Sequence, residues 1–523
     1  MAKEYILAHD MGTSGAIASL VELGEINEPV KIIQSVIQEY DVIYPQENYA
    51  EQDPKVWWRA ITQNAADIVK KTGVDPEEII AIIHSTQMLG CMPVDKNGDP
   101  LMNCMIWMDT RAAKQSLKLW CDVRSMLSIL RHIRRVWNFL SITGAGPMTR
   151  DLYSKLMWIK EERPTIYDKT FKFLDVIDWL ILKSTGQYAT PVDYAGVTFA
   201  MDIHKFQWSE KLLAYGEVDI DKMNNIHKCT DVIGELSPEA AAEMSLKPGI
   251  PVVCGCGDAS VALAGSGAVE ENDVHLYIGS SGWLMAPVSK YYRKISAATI
   301  AMPSPNPEIP YQLIAEQKNM GACLKWLRDT VERKESYGDL DALAEKAPPG
   351  SNKLIFTPWL FGESCPVIEP RLRGGFINLN IRNTRYDVIR AVLEGVAYNA
   401  RWALHAGIEP LVKKNGGKIS EIRFIGGGAM SNIWCQIMAD VLEKDIIQMA
   451  NPMAAGTIGG ALIAALGIGK LNSFREFKPK IPEKARYTPN PANKDIYHTL
   501  YHAYREIHKR LLPLYKALNP GDF

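Results

Sequence analysis

Two aspartates set among small and apolar neighbours are the residues of this chain best suited to do chemistry. Asp258 is the single charged side chain in the stretch CGCGDASVALAGSG, residues 254–267. Asp10 closes the run YILAHD and opens a turn of glycines and hydroxyls, Met11-Gly-Thr-Ser-Gly15. A carboxylate before SVALAGSGAV is a sound helix N-cap, so Asp258 read alone needs no further role. The turn after Asp10 is more suggestive. Glycine lets the backbone approach an anion closely, and exposed N–H groups beside the Thr13 and Ser14 hydroxyls can coordinate phosphate oxygens, although a plain hairpin turn uses the same residues. The same chemistry recurs at Tyr277-Ile-Gly-Ser-Ser-Gly282. A third glycine cluster, Phe424-Ile-Gly-Gly-Gly-Ala-Met-Ser-Asn432, leads from a strand into a helix, where a nucleoside could lie against the backbone and Asn432 could hydrogen-bond it. The chain lacks the G-x-G-x-x-G spacing at this cluster and the G-x-x-x-x-G-K-[ST] of a P-loop, which excludes both of those phosphate sites.

These turns need strands and helices to position them, and the pattern along the chain supplies both. Short β-branched runs alternate with helical patterns: YILAHD, IASLVEL, DPKVWWRAITQNAADIVKK, IIAIIHS. That alternation predicts an α/β architecture with buried strands. A second series of the same kind begins near residue 250 with PVVCGCGDA, VHLYIGSSG and WLMAPV, and later IRFIGGGA. At 523 residues the chain is too long for one core, so we expect two lobes, residues 1–249 and 250–523, divided at the turn-rich Lys247-Pro-Gly-Ile-Pro251. Trp57 and Trp58 are read as core, and Asp53 before Pro54 as the cap of their helix.

Composition narrows the function classes. A formal net charge of -2 gives no electrostatic reason to expect nucleic acid or a membrane surface as partner. Nine cysteines with no C-x-x-C pair point to reduced thiols and a cytoplasmic protein, and the N-terminus carries no secretory pattern. The uncharged run from Met453 to Gly469 is short for a bilayer and rich in Gly and Ala, so it reads as a buried helix. The basic helix from Arg124 to Trp137, with Arg131, Arg134 and Arg135, reads as a solvated face.

Taken in order, DMGTSG, YAEQDPKVWW, TQMLG, MIWMDTRA, CGCGDA, IGSSG and GGGAMSN resemble the FGGY family of carbohydrate kinases, most nearly its xylulokinase branch, over essentially the whole chain. The resemblance implies two actin-like (ribonuclease H-like) lobes around a central cleft, with sugar held mainly by the first and ATP mainly by the second. It implies a Mg²⁺-dependent kinase with Asp258 as catalytic base, placed at a strand end of the second lobe, and Asp10 as the metal-orienting carboxylate. The same comparison points to Gln87, Met88, Leu89, Trp107, Asp109 and Arg150 as sugar-side residues. On the nucleotide side it points to Thr13, Ser14, Gly279, Ser280, Gly321, Lys325, Gly427, Gly428 and Asn432, with a solvated lysine an equal reading of Lys325. A homodimer is suggested by analogy alone.

The chain departs from its relatives on the sugar side. Leu89 stands where xylulokinases usually carry histidine, Ala259 where they often carry asparagine, and Ile17 where they tend to carry lysine. Sites built to hydrogen-bond a hydroxyl discriminate strongly, so these losses bear on substrate choice. The expected reaction is phosphorylation of a primary hydroxyl of a small ketose, D-xylulose to D-xylulose 5-phosphate. Ribulose, glycerol or erythritol as acceptor, or a non-catalytic sensor on the same fold, are the alternatives.

Overall fold

The computed structural model describes residues 3–25, 28–120, 126–145 and 151–520. The first apolar run is strand β1 (Tyr5–Met11), buried at every position but Asp10, which is half-buried. Its neighbours explain this: β2 (Gly15–Glu22) pairs with it antiparallel on one side, and β4 (Ile79–Thr86) pairs with it parallel on the other. β3 (Lys31–Glu39) extends the antiparallel meander. β6 (Pro251–Gly257) lies parallel to β4, and β5 (Val232–Glu235) closes that edge antiparallel, giving the order β5-β6-β4-β1-β2-β3.

Helix α1 (Pro54–Thr72) covers β2 and β3. Asp53 accepts the Lys55 N–H at 2.9 Å, Pro54 opens the first turn, and left-handed Gly73 ends the helix. Its inner face is Trp57, Ile61, Ala65 and Ile68, each fully buried. At about 1.5–3 kcal/mol per large apolar side chain, this face rather than helix propensity holds α1 in place.

The second sheet repeats the plan. β7 (His275–Ile278), β8 (Gly282–Val288) and β9 (Tyr311–Gln317) form an antiparallel meander. β10 (Glu421–Ile425) and β11 (Asp445–Met449) follow parallel to β7, and β12 (Glu483–Tyr487) closes antiparallel. Two short outer strands, Arg293–Lys294 and Thr299–Pro303, bring this sheet to eight.

The chain forms two compact units, and the division differs from the expected one. The first comprises Met1–Gly265, Met302–Pro310 and Gly456–Lys480; the second comprises Ser266–Ala301, Tyr311–Ala455 and Ile481–Phe523. β6 is hydrogen-bonded into the first sheet, so Asp258, at its end, belongs to the first unit and not, as expected, to the second. Lys247–Pro251 is a turn within the first unit, leading from one strand of its sheet to the next; the turn signals there were real but marked no domain boundary.

The uncharged run after Met453 is a buried helix, Ala455–Gly467, as expected. Among the described residues no helix is long and apolar enough to cross a membrane. In the basic helix Met126–Ile142, Ile133 and Trp137 are exposed while Phe139 is in the core. Arg124 lies outside the described residues. All eight described cysteines are free and buried.

Candidate active site

Three parallel strands of the first sheet end together. Asp10 of β1 is opposite Ser85 of β4, and Ser85 is opposite Cys256 of β6; one step on, Met11, Thr86 and Gly257 form the next row. Asp258 follows Gly257 as the first residue of helix α2 (Asp258–Ser266). With strands about 4.8 Å apart, Asp10 and the start of α2 are two spacings from each other, roughly 10 Å, at the carboxyl edge where α/β sheets carry their ligands.

The glycines around Asp258 are required by packing. Gly255 has φ +77° at a register shift between β6 and β4, and a Cβ there would stand 2.0 Å from the His84 carbonyl oxygen. A Cβ on Gly257 would meet the Met88 sulfur at 2.3 Å. The Gly257 N–H donates to buried Asp193 at 2.8 Å, and Asp258 Oδ1 accepts the Ala259 N–H at 2.7 Å. Asp258 thus caps its own helix while remaining half-buried at the strand edge, so the capping role and a chemical one coexist.

Asp10 accepts a hydrogen bond from Ser85 Oγ at 3.2 Å, and burial pushes its carboxyl up to about 6. It also touches the start of the helix Ala455–Gly467: a Cβ on Gly456 would lie 1.9 Å from Asp10 Oδ2. The positive end of that helix favours the ionised carboxylate.

Side chains hold the turn after Asp10. Tyr40 OH donates to the Gly12 carbonyl at 2.6 Å, and Gln52 Nε2 to the Thr13 carbonyl at 2.7 Å. The Thr13 hydroxyl accepts from Trp107 Nε1 at 2.8 Å and donates to Gln87 Oε1 at 3.1 Å; Gln87 Nε2 in turn donates to Gln52 Oε1 at 2.7 Å. Thr13, Gln87 and Trp107, expected on different sides of the reaction, therefore form one network. Thr13 has committed its only proton to Gln87, whereas Ser14 is exposed in the turn.

Asp109, expected in the sugar pocket, is fully buried. It accepts from the Arg111 guanidinium, at 2.6 Å from Nη2, and from the Ala50 N–H at 2.8 Å. Arg111 Nη2 also meets Glu51 at 2.7 Å. Asp109 is thereby tied to Ala50 and Arg111. Arg150 lies outside the described residues.

In the second unit, Gly279 and Ser280 form the turn between β7 and β8. The Gly321 N–H donates to the Gly279 carbonyl at 2.8 Å, and the Met320 and Ala322 N–H groups donate to the Ser280 carbonyl at 3.0 Å each. Beside this turn β10 runs into Gly426, whose φ of +82° and close approach to the Ile278 carbonyl exclude a side chain. Gly427 is exposed, while Gly428 is buried against Ile278, so only the first of this pair has an open face.

Two family models, the N-terminal and C-terminal domains of the FGGY family of carbohydrate kinases, match residues 5–265 and 275–468. The chain belongs to the FGGY family of carbohydrate kinases. It is 27% identical to a xylulose kinase of Bacillus subtilis, over 98% of this chain and 99% of that one. To a gluconokinase of the same organism it is 26% identical, over 95% and 94%. Its fold superposes on a gluconate kinase and a ligand-bound xylulose kinase from Lactobacillus acidophilus with TM-scores of 0.86 and 0.85, each at 24% identity over 99% of this chain and 100% of the other. This FGGY kinase is an actin-like ATPase in fold and a sugar phosphotransferase in activity, with ATP as co-substrate. The first model's end at residue 265 coincides with the end of the first unit's opening segment.

The remaining nucleotide-side expectations divide. Asn432 starts the helix Asn432–Leu442 and is exposed, with its carbonyl taking a hydrogen bond from Gln448 Nε2 at 3.2 Å. Lys325 is more than half exposed and pairs with Asp329 one helical turn on. Residues that sequence reasoning passed over also hold these turns and the strand end of this FGGY kinase. They are Gln52, Tyr40 and Asp193. Gln52 lay within the YAEQDPKVWW motif, which was the available signal; Tyr40 and Asp193 are recognisable only once their partners are in place.

Proposed function

We propose that this kinase transfers the terminal phosphoryl group of ATP to a primary hydroxyl of a small ketose, with D-xylulose the first choice and D-xylulose 5-phosphate the product. Asp258 takes the hydroxyl proton. As that O–H bond breaks, the sugar oxygen bonds to phosphorus and the bond from phosphorus to the ADP oxygen is released. The observation that carries this reading is the strand-end row, which sets two half-buried carboxylates, Asp10 and Asp258, about two strand spacings apart on one sheet edge.

Among the described residues no group of three or more His, Cys, Asp or Glu side chains could hold a metal by itself. A magnesium ion carried in on nucleotide needs only one or two protein carboxylates beside its waters and phosphate oxygens, and half-buried Asp10 fits that demand. Bound there, Mg²⁺ would spread the charge that develops on the phosphates. Asp10, held up at about 6 by burial, is ionised at neutral pH and available for the task. Within the second unit, the exposed Ser280 hydroxyl with Gly279, Gly321, Gly427 and Asn432 would take the nucleotide; in the first unit, the exposed Ser14 hydroxyl stands in the turn after Asp10 and could donate to phosphate there.

Similarity to gluconokinases, together with apolar Leu89 on the sugar side, favours a second acceptor class, sugar acids and other polyols. The test is ADP formation against D-xylulose, D-ribulose, D-gluconate, glycerol and erythritol, in wild type and Asp258→Asn. We expect D-xylulose to give the highest kcat/KM and the variant to lose about 10³-fold in kcat with ATP binding retained. A higher kcat/KM for D-gluconate would reassign the acceptor; near-normal turnover in the variant would remove Asp258 from the mechanism. ATP turnover unaffected by every acceptor would favour a sensor.

A further inference from the structure

Sequence reasoning singled out the segment Gln87-Met-Leu-Gly90 for its residue types, but its backbone is the more unusual feature. Leu89 has φ +68°, the left-handed region that costs a non-glycine residue about 1–2 kcal/mol. Such a conformation persists only where its surroundings impose it.

Three elements impose it. Tyr194, on the short helix Val192–Val197, donates its hydroxyl to the Thr86 and Gln87 carbonyls at 2.7 and 3.0 Å. Asp175, the N-cap of the helix Val176–Thr185, accepts the Gly90 N–H at 2.9 Å. A Cβ on Gly90 would stand 2.4 Å from that carboxylate, so the approach itself demands glycine. Lys155, on the helix Leu152–Glu162, completes the set: its Nζ donates to the Leu89 carbonyl at 2.6 Å and to the Ile106 carbonyl at 2.8 Å.

Lys155 is fully buried, and both of its bonded acceptors are main-chain carbonyls. Burying an amine in an apolar helix face costs several kcal/mol that a methionine of similar size would not incur. What methionine could not do is tie two separate backbone segments to one atom. The second segment matters because Ile106 precedes Trp107, whose indole N–H bonds Thr13 in the turn after Asp10.

We propose that Lys155 is a positioning residue of the sugar site: one Nζ fixes the left-handed Leu89 peptide and the Ile106–Trp107 peptide together, and so sets the spacing of the two segments that receive the acceptor. The inference rests on the sugar-side reading of residues 87–89 and Trp107 given above. It adds that their geometry is set from behind by a buried amine.

The test is Lys155→Met in the full-length enzyme, read by KM for sugar and for ATP and by amide hydrogen exchange over residues 86–90. We expect sugar KM to rise about tenfold, the worth of one or two well-made hydrogen bonds, with ATP KM within about twofold of wild type. Exchange at Gly90 and Gln87 should quicken by a similar factor while the strands of the second sheet stay protected. In a Leu89→Gly background, where left-handed backbone carries no penalty, the same Lys155→Met change should cost about threefold less in sugar KM.

Unchanged sugar KM with unchanged exchange over 86–90, or a parallel rise in both KM values, would overturn the proposal and leave Lys155 a packing residue. If Lys155→Met does not fold, Lys155→Arg retains donors but displaces both carbonyls; raised sugar KM supports the proposal, and wild-type KM overturns it. A wild type that phosphorylates no acceptor in the panel would sink the sugar-kinase reading instead, and the exchange measurement alone would then decide whether Lys155 holds the segment.

Discussion

The two units carry the same hairpin at the same place in their respective sheets, yet they secure it differently. Met11-Gly-Thr-Ser-Gly15 joins β1 to β2, and Ile278-Gly-Ser-Ser-Gly282 joins β7 to β8. Around the first turn the fixing groups include the side chains of Tyr40, Gln52, Trp107 and Gln87 as well as the main-chain N–H groups of Tyr40 and Gln87, which donate to the Ser14 and Met11 carbonyls at 3.1 and 2.7 Å. Around the second they are main-chain N–H groups of Met320, Gly321 and Ala322. The residue entering each turn differs in the same spirit. Asp10 is a carboxylate against a helix start; its counterpart Tyr277 is an aromatic ring stacked on Trp283 at 4.1 Å. A turn held by side chains can be tuned residue by residue toward one reaction. One held by backbone tolerates sequence change and presents a uniform cradle, which suits a co-substrate that does not vary.

Substitutions can break this comparison at either end. The largest effect should come from Gly456→Ala, whose new methyl would overlap Asp10 Oδ2 and force the carboxylate aside. Displacing a reacting group by about 1 Å costs on the order of 10²-fold, so kcat should fall by that much with sugar KM little changed. The apparent Mg²⁺ requirement should rise in parallel. Wild-type kinetics would show that Asp10 does not need its present position.

Gly321→Ala tests the second turn. Its Cβ would sit 2.3 Å from the Gly279 carbonyl oxygen, breaking a backbone contact that no side chain can replace. Steady-state kinetics should show ATP KM up by about tenfold, with the sugar KM unaffected. Equal changes in both constants would erase the distinction between the turns.

Gln52→Ala removes one of several supports of the first turn, since Tyr40 and Trp107 remain. The loss should be mild, about fivefold in kcat/KM, because the other bonds to the turn persist even as the Gln87 and Trp57 bonds to Gln52 are lost with it. A loss as large as that of Gly456→Ala would mean the network acts as a unit.

Acid is where the two units should behave alike. His9 in β1 and His275 in β7 are both buried, and burial pushes them down to about 4 and about 3 from 6.5. His84, stacked on His9 at 5.1 Å, is lowered as well, by burial and then by its neighbour. Because the unfolded chain takes these protons near 6.5 and the folded one only well below, stability is complete above that pH and declines as pH falls through the interval. Buried Asp10, Asp178 and Glu363, raised to about 6, 7 and 7, act in the opposite sense, so the check is the fall in melting temperature from about pH 7.5 to 4.5 in His9→Gln against wild type: a smaller fall in the variant is expected, and an equal one would contradict the burial of this ring.

Much of this was legible beforehand in particular residues. The hairpins, the buried uncharged helix, the α1 cap at Asp53 and the core tryptophans follow from local rules of turn chemistry and periodicity, which act within a few residues. The surroundings of Asp109 were not legible, because the contacts from Arg111 and Ala50 that enclose the carboxylate of MIWMDTRA form only in the fold. The division near residue 250 misled because a turn signal says that the chain reverses, and not which sheet receives the next strand.

The amino-acid sequence by itself determined the alternation of strands and helices, the duplicated plan, the family, and the residue types able to handle phosphate. Those are properties of short stretches and of their order. Only the tertiary structure decided that Asp258 shares a sheet with Asp10, that Thr13 and Gln87 belong to one network, and that a buried lysine ties Leu89 to Ile106. Strand pairing and burial bring together residues many positions apart, and hydrogen bonds of that kind leave no periodicity in the chain to read.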